Sequence, residues 1–509
     1  MVVGPWVLAR QLARAAAPVL IAVLAGCGTF LEPDSGETQL FAQVYRDVTH
    51  YHMKETSPDR LALAALQSLS RIDPALAVAS EGNELVLRDR DVAQRFTVPT
   101  DAGDSAAWGR LTVRVVTAAR ALSPPLAAVP PEIADERLID GALGTLDRFS
   151  RYARPEVARK RRAERDGFVG VGVTLDVSAA AVRIATVLPD TPAAAAGVHA
   201  ADRIVAVDGR PLDKLTSEAV GERLRGAKGS PVTLELARDG SANLTLTMRR
   251  TVIVGESVTL DERGSVAWLK VRSFNQHTAQ SAAALLGVAH REMGDRLAGI
   301  VLDLRENPGG LLDQAIEVAE LFLDGGPIAS TVGRLPESDQ SFTAKAGEPH
   351  ETLPLVVLVD GGSASSAEVV AAALQDRGRA VVAGSASFGK GTVQTVFRIG
   401  NGGELTVTWA ALITPGGYHL HRHGVVPTAC TSELGAPGAA TPAALGVTRE
   451  ALDDAGWRRL RATCPPQLGA NERDARVARR LLGAPALYRA ALLAPAGDTL
   501  RQTEARLPK

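Results

Sequence analysis

The chain has 509 residues, too many for one ordinary core, so two or three domains are expected. With 46% hydrophobic and 22% charged residues its composition is globular, neither that of a disordered chain nor that of a polytopic membrane protein. The 56 basic and 57 acidic side chains leave a formal net charge of -1, which excludes recruitment to nucleic acid or an anionic surface by long-range attraction.

Arg10 and Arg14 precede an apolar run from Ala15 to Ala25 that is too short to cross a bilayer comfortably. A basic start, a short apolar stretch and a small-residue cleavage site read as a secretory signal over residues 1–26. The closing Leu24-Ala25-Gly26-Cys27 resembles a bacterial lipobox, which implies acylation of Cys27 and a membrane-held lipoprotein; a secreted protein with a chance cysteine is the alternative. Gly28 rather than Asp points to the outer membrane, with the protein in the cell envelope facing the periplasm. Export permits disulfides, so Cys430 and Cys464 either join, closing the C-terminal region onto the core, or remain two free buried thiols.

Residues 27–39 are polar with Gly and Pro, as a tether would be. Phe41, Val44, Tyr45 and Val48 then recur at helix spacing, and Ser57-Pro58-Asp59 opens a second helix through Leu61, Leu63, Leu66 and Leu69. Residues 82–98 suggest strand and turn, and the 40–130 region as a whole reads as helical. A faint echo of residues 57–73 occurs at 133–147. Residues 166–252 carry short strands with Gly-bearing turns, in the order strand, short helix, strand, Asp208-Gly209 turn, helix, strand. That order resembles a PDZ domain of the permuted bacterial type. The resemblance makes Phe168-Val169-Gly170-Val171 the loop that holds a peptide's terminal carboxylate; a small β domain that binds nothing is the alternative. Residues 131–165 and 253–430 form the remaining body, with strands and helices alternating as in an α/β core, and 431–509 form a C-terminal helical region.

Three turns of the α/β part carry polar residues where a strand runs into a helix or loop. They are Asp303-Leu304-Arg305-Glu306-Asn307-Pro308-Gly309-Gly310-Leu311, Gly362-Ser363-Ala364-Ser365-Ser366-Ala367-Glu368, and Phe388-Gly389-Lys390-Gly391-Thr392-Val393-Gln394. Singly, each is an ordinary cap or solvated loop. Together, with Thr414-Pro415-Gly416-Gly417 and Gly424-Val425-Val426-Pro427, they resemble the carboxyl-terminal processing peptidases, or tail-specific proteases. The similarity spans roughly Leu138 to Thr428.

The resemblance implies a crotonase-like α/β core with the PDZ domain inserted, and a serine endopeptidase needing no cofactor or metal. It makes Ser365 the nucleophile, Lys390 its general base and Gln394 the residue that orients the lysine. The oxyanion donors would be the backbone N–H groups of Gly310 and Ser366. An exposed lysine, with a pKa of about 10.4, cannot act as a base at neutral pH, so Lys390 is expected to be enclosed and held by Gln394. Ser366-Ala367 replaces the family's usual Ala-Ser. Expected partners are proteins with exposed C-termini, and an adaptor lipoprotein and self-association are compatible with the sequence. The competing reading is a catalytically inert PDZ scaffold lipoprotein. His419, His421 and His423 alternate as on one face of a strand, and are read as a solvated strand end rather than a metal site.

Overall fold

The computed structural model describes residues 35–493, apart from 179–180, 213–214, 241, 348–350, 433–448, 450–451 and 470–471. The signal segment, Cys27 and most of the tether lie outside the described residues. Among the described residues no helix is long and apolar enough to cross a membrane.

The N-terminal layer opens with helix Gly36–Tyr51, whose first turn is capped by Ser35 Oγ accepting from the Thr38 N–H at 3.2 Å. Its buried Phe41, Val44, Tyr45 and Val48 follow the helical period and pack on helix Ser105–Leu122, where Tyr45 and Thr112 share a buried hydroxyl pair at 3.0 Å. The layer is not wholly helical. Strands Leu76–Glu81, Glu84–Asp89 and Val92–Thr97 form an antiparallel sheet within it. The two segments with similar sequence, helices Pro58–Gln67 and Pro131–Leu143, lie against each other, with no room at Gly141 for a side chain beside Ser68.

The PDZ region is a sheet in the order Leu244–Arg249, Pro231–Ala237, Arg203–Val207, Val182–Val187, Val173–Val177, with helix Ser217–Leu224 packed on a core of its own. A short ribbon, Phe168–Gly170 against Thr251–Ile253, brings entry and exit together. Helix Pro155–Asp166 leads into it.

The α/β body rests on a sheet ordered Val258–Arg263, Val266–Val271, Gly299–Asp303, Leu355–Val359, Val381–Gly384, Ala429–Cys430. All neighbours but the first pair run parallel. Such a sheet needs cover on both faces. Helices Thr278–Met293, Leu312–Glu320 and Ser366–Asp376 cover one face. The other is covered by the C-terminal helices Glu472–Gly483 and Pro485–Leu493, through Ala475, Leu481 and Tyr488. Cys430 and Cys464 are joined by a disulfide, with Cα atoms 5.8 Å apart. A second, antiparallel sheet is ordered Gln340–Ala344, Gly326–Gly333, Glu404–Ile413, Thr392–Arg398, and Arg151–Ala153 pairs with Glu404–Thr406.

Candidate active site

The three polar turns all leave the carboxyl ends of parallel strands, where open α/β sheets place their ligand sites. The segment 304–310 follows Gly299–Asp303, the segment 360–365 follows Leu355–Val359, and the segment 385–390 follows Val381–Gly384. Adjacent strands therefore bring three distant stretches of sequence into one place.

Ser365 sits where strand gives way to helix Ser366–Asp376, with φ +56°. A left-handed conformation is strained for serine, and a strained strand-to-helix turn is how a nucleophile is pushed out of its sheet. The turn is held from both sides. Asp360 Oδ1 accepts the N–H groups of Gly362, Ser363 and Glu306 at 2.9–3.0 Å, tying it to the neighbouring loop. The Ala364 N–H donates to Asn307 O at 2.9 Å. Gly310, at φ +151°, presses so close to Phe274 that a Cβ would lie 2.1 Å from the Phe274 carbonyl oxygen. Among the described residues the N–H groups of Gly310 and Ser366 donate to no backbone carbonyl. The Ser366 hydroxyl donates to Gly310 O at 3.0 Å, so the serine that departs from the family pattern bridges the two loops.

Glu368 is fully buried one turn into the helix, and its place in the motif gives no hint of a role. Its Oε2 accepts the N–H of Ser365 at 2.7 Å and that of Lys390 at 2.9 Å. Oε1 accepts the Gly389 N–H at 2.7 Å and the Ser387 hydroxyl. Burial pushes this carboxyl above its usual range, while four donors oppose the shift. One side chain thus fixes the backbone of Ser365 to that of Lys390.

Lys390 is partly buried, and its ammonium lies 5.2 Å from the centroid of the Phe149 ring. Its pKa is lowered, first by burial and then by the nearby Arg151 charge, against the pull of Glu368 and Asp147. Gln394 lies on strand Thr392–Arg398, at a register shift opposite Thr408. Its amide nitrogen donates to Thr392 Oγ1 at 2.9 Å and Thr408 Oγ1 at 3.3 Å, and among the described residues no hydrogen bond joins it to the Lys390 amine.

The expected strand through His419, His421 and His423 is absent. His419 makes a single bridge to Ile413 and the chain then turns, with Arg422 at φ +69° and its N–H on Gly389 O. His423 stacks on Trp457, and His421 meets the edge of Phe149.

In the PDZ region a cleft of about 1150 Å³ runs between Phe168, Gly170, Val171 and Leu175 on one side and Gly221 and Leu224 on the other. Gly172 and Val173 continue the loop along it, whereas Val169 pairs with Val252 and lies off the lining.

Fold and geometry define a two-part molecule, a peptide-binding module set beside an α/β hydrolase-type site. The model of peptidase family S41 matches residues 265–430 and that of the PDZ domain matches residues 156–237. The chain is 39% identical over 295 residues to a carboxy-terminal-processing protease of Bartonella bacilliformis, covering 57% of this chain and 68% of that one. It is 35% identical over 289 residues to a carboxyl-terminal-processing protease of Picosynechococcus, covering 55% and 69%. Among solved structures it is similar to a photosystem II D1 C-terminal processing protease, at 25% identity, TM-score 0.39, and 78% and 93% coverage. The chain belongs to the carboxyl-terminal processing proteases of peptidase family S41 and is a serine-type endopeptidase with a PDZ domain.

Proposed function

We propose that the enzyme is a cell-envelope endopeptidase that docks substrate C-termini in the PDZ cleft and cleaves with a Ser365–Lys390 dyad. Lys390, its ammonium disfavoured by burial, takes the Ser365 proton as Oγ attacks the scissile carbonyl. The tetrahedral oxyanion is held by the N–H groups of Gly310 and Ser366. The nitrogen leaving group departs with the proton from Lys390, and water then hydrolyses the acyl-enzyme by the same route. The core is of the crotonase-like kind, and acylated Cys27 anchors the chain to the outer membrane, facing the periplasm. The observation that carries this reading is Glu368, whose one carboxylate binds the backbone N–H of both Ser365 and Lys390. A buried group spent on that join suits a site whose two halves must keep register, and an inert scaffold has no use for it.

The test is turnover of an unfolded protein with an apolar C-terminus by the chain starting after Cys27, beside Ser365→Ala and Lys390→Ala. Loss of cleavage in both variants is expected. Cleavage by either variant at the parent rate would overturn the dyad.

A further inference from the structure

Gln394 lies on strand Thr392–Arg398 at the point where its register with Glu404–Ile413 is interrupted. The register shift skips Trp409 and sets Gln394 opposite Thr408, whose backbone faces the gap between the pairings with Gly326–Gly333 and Arg151–Ala153 on the strand's other edge. Two loops take that backbone up: the Met53 N–H donates to Thr408 O at 2.9 Å, and the Thr408 N–H donates to Ser150 Oγ at 3.0 Å. The Thr408 hydroxyl donates to Asp147 Oδ1 at 3.1 Å. Asp147 is saturated by further donors, namely the N–H groups of Phe149 and Ser150, the Ser150 hydroxyl at 2.6 Å, and His52 Nε2 at 2.7 Å. His52 is fully buried, and the Lys54 N–H donates to its Nδ1 at 3.0 Å, which leaves the hydrogen on Nε2, facing the carboxylate.

These bonds have a direction. A carboxylate accepts only, so the Thr408 hydrogen is committed to Asp147 and the hydroxyl can offer Gln394 nothing but a lone pair. The amide must then turn its nitrogen to Thr408, and its second hydrogen goes to Thr392. With both amide hydrogens spent, the carbonyl oxygen is the only atom of Gln394 left for an amine. Asp147 acts on the same amine from a second side, because it holds the backbone of Phe149, whose ring lies beside the lysine.

We infer that His52, Asp147, Thr408 and Thr392 are positioning residues that fix the Gln394 amide with its oxygen toward Lys390. The inference rests on the Ser365–Lys390 reading. It gives the N-terminal layer a share in catalysis, since His52 and Met53 follow directly on its first helix.

The experiment measures kcat and KM of the chain starting after Cys27 on a short peptide, for Thr408→Val, Thr408→Ser, Gln394→Ala and the Thr408→Val/Gln394→Ala double variant, beside Ser365→Ala and Lys390→Ala. Thr408→Val should lower kcat by about 10²-fold, the scale of a misplaced catalytic group, with KM nearly unchanged. Thr408→Ser should restore most of the rate, and Thr408→Val should add nothing in the Gln394→Ala background. If Thr408→Val does not fold by thermal unfolding, Thr392→Val takes its place in the same cycle. Dyad variants that turn over at full rate overturn the dyad reading and this one together. Silent dyad variants beside a full-rate Thr408→Val, or losses that multiply in the double variant, overturn the positioning role alone.

Discussion

Glu368 shows how much of the proposed catalytic site can hang on a side chain that is neither its nucleophile nor its base. Its four donors are the N–H groups of Ser365, Gly389 and Lys390 and the Ser387 hydroxyl. Glu368→Gln keeps the shape but turns an N–H₂ toward donors, at about 1–3 kcal/mol for each one left unsatisfied. We expect a lower unfolding midpoint and at least a ~10²-fold fall in kcat, read by calorimetry and peptide turnover. On the proposed dyad, Lys390 sets the pH response. Its folded pKa lies below the ordinary value, so activity rises with pH through an acid limb centred below about 10.4. Arg151→Met removes a like charge that disfavours the ammonium, so the limb should move to higher pH; a limb that stays in place would show that burial alone sets it. The turns that hold Ser365, Lys390 and Gln394 were legible in the sequence because each is a short contiguous motif. His52, Thr408 and the join made by Glu368 were not. Asp147 and Thr408 are 261 positions apart, and no local pattern announces a hydrogen bond across that distance.

Among the elements, helices with a clear apolar stripe were readable and most strands of the second sheet were not. Residues Gly326–Gly333 and Thr392–Arg398 alternate too weakly for strands to stand out, and the register shift at Gln394 breaks the period where it matters. The histidines at 419–423 misled in the opposite sense, since alternation survived in a segment that turns. Helix packing also stores a titration. Asp135, in helix Pro131–Leu143, is buried near Glu37 of the first helix, and its pKa is raised to about 7. A carboxyl raised in the folded state binds more protons than in the unfolded chain, so stability falls as pH rises from about 4 to 7 and stays reduced above that. Asp135→Asn should therefore raise the unfolding midpoint at pH 8 and leave it nearly unchanged at pH 4. Equal gains at both pH values would mean that ionisation is not the cause.

On the scale of the molecule, helix Pro155–Asp166 links the PDZ region to the second sheet. Arg159 pairs with Glu218 and Glu222 on the helix beside the PDZ cleft. Arg162 and Arg165 lie 3.2 and 3.3 Å from the buried Glu404, at the start of the strand that carries Thr408. A domain seated this way can alter the site as well as deliver substrate to it. Deleting residues 166–252 should change kcat on a short peptide that never enters the cleft; an unchanged kcat would limit the domain to capture.

The tail beyond Cys430 matches the family motifs least, yet it closes the site. Arg461 donates to Ser387 O at 2.8 Å, Gln467 O accepts the Gly361 N–H at 2.8 Å, and Arg305 joins Asp303 to Asp474 through bonds of 2.8 and 2.9 Å. Groups that brace the candidate site thus come from His52 near the beginning of the described chain and from Asp474 near its end. That span has a consequence in time. A chain still emerging from a ribosome or a translocation channel can already hold Ser365, Lys390 and Gln394 while lacking the helices that cover one face of their sheet. We expect such a chain to be a protease in sequence but not yet in activity. A chain stopped after Cys430 should be silent toward peptides, and adding residues 431–509 as a separate segment should restore part of the rate. Full activity in the shortened chain would show that the enzyme is armed before its synthesis is complete.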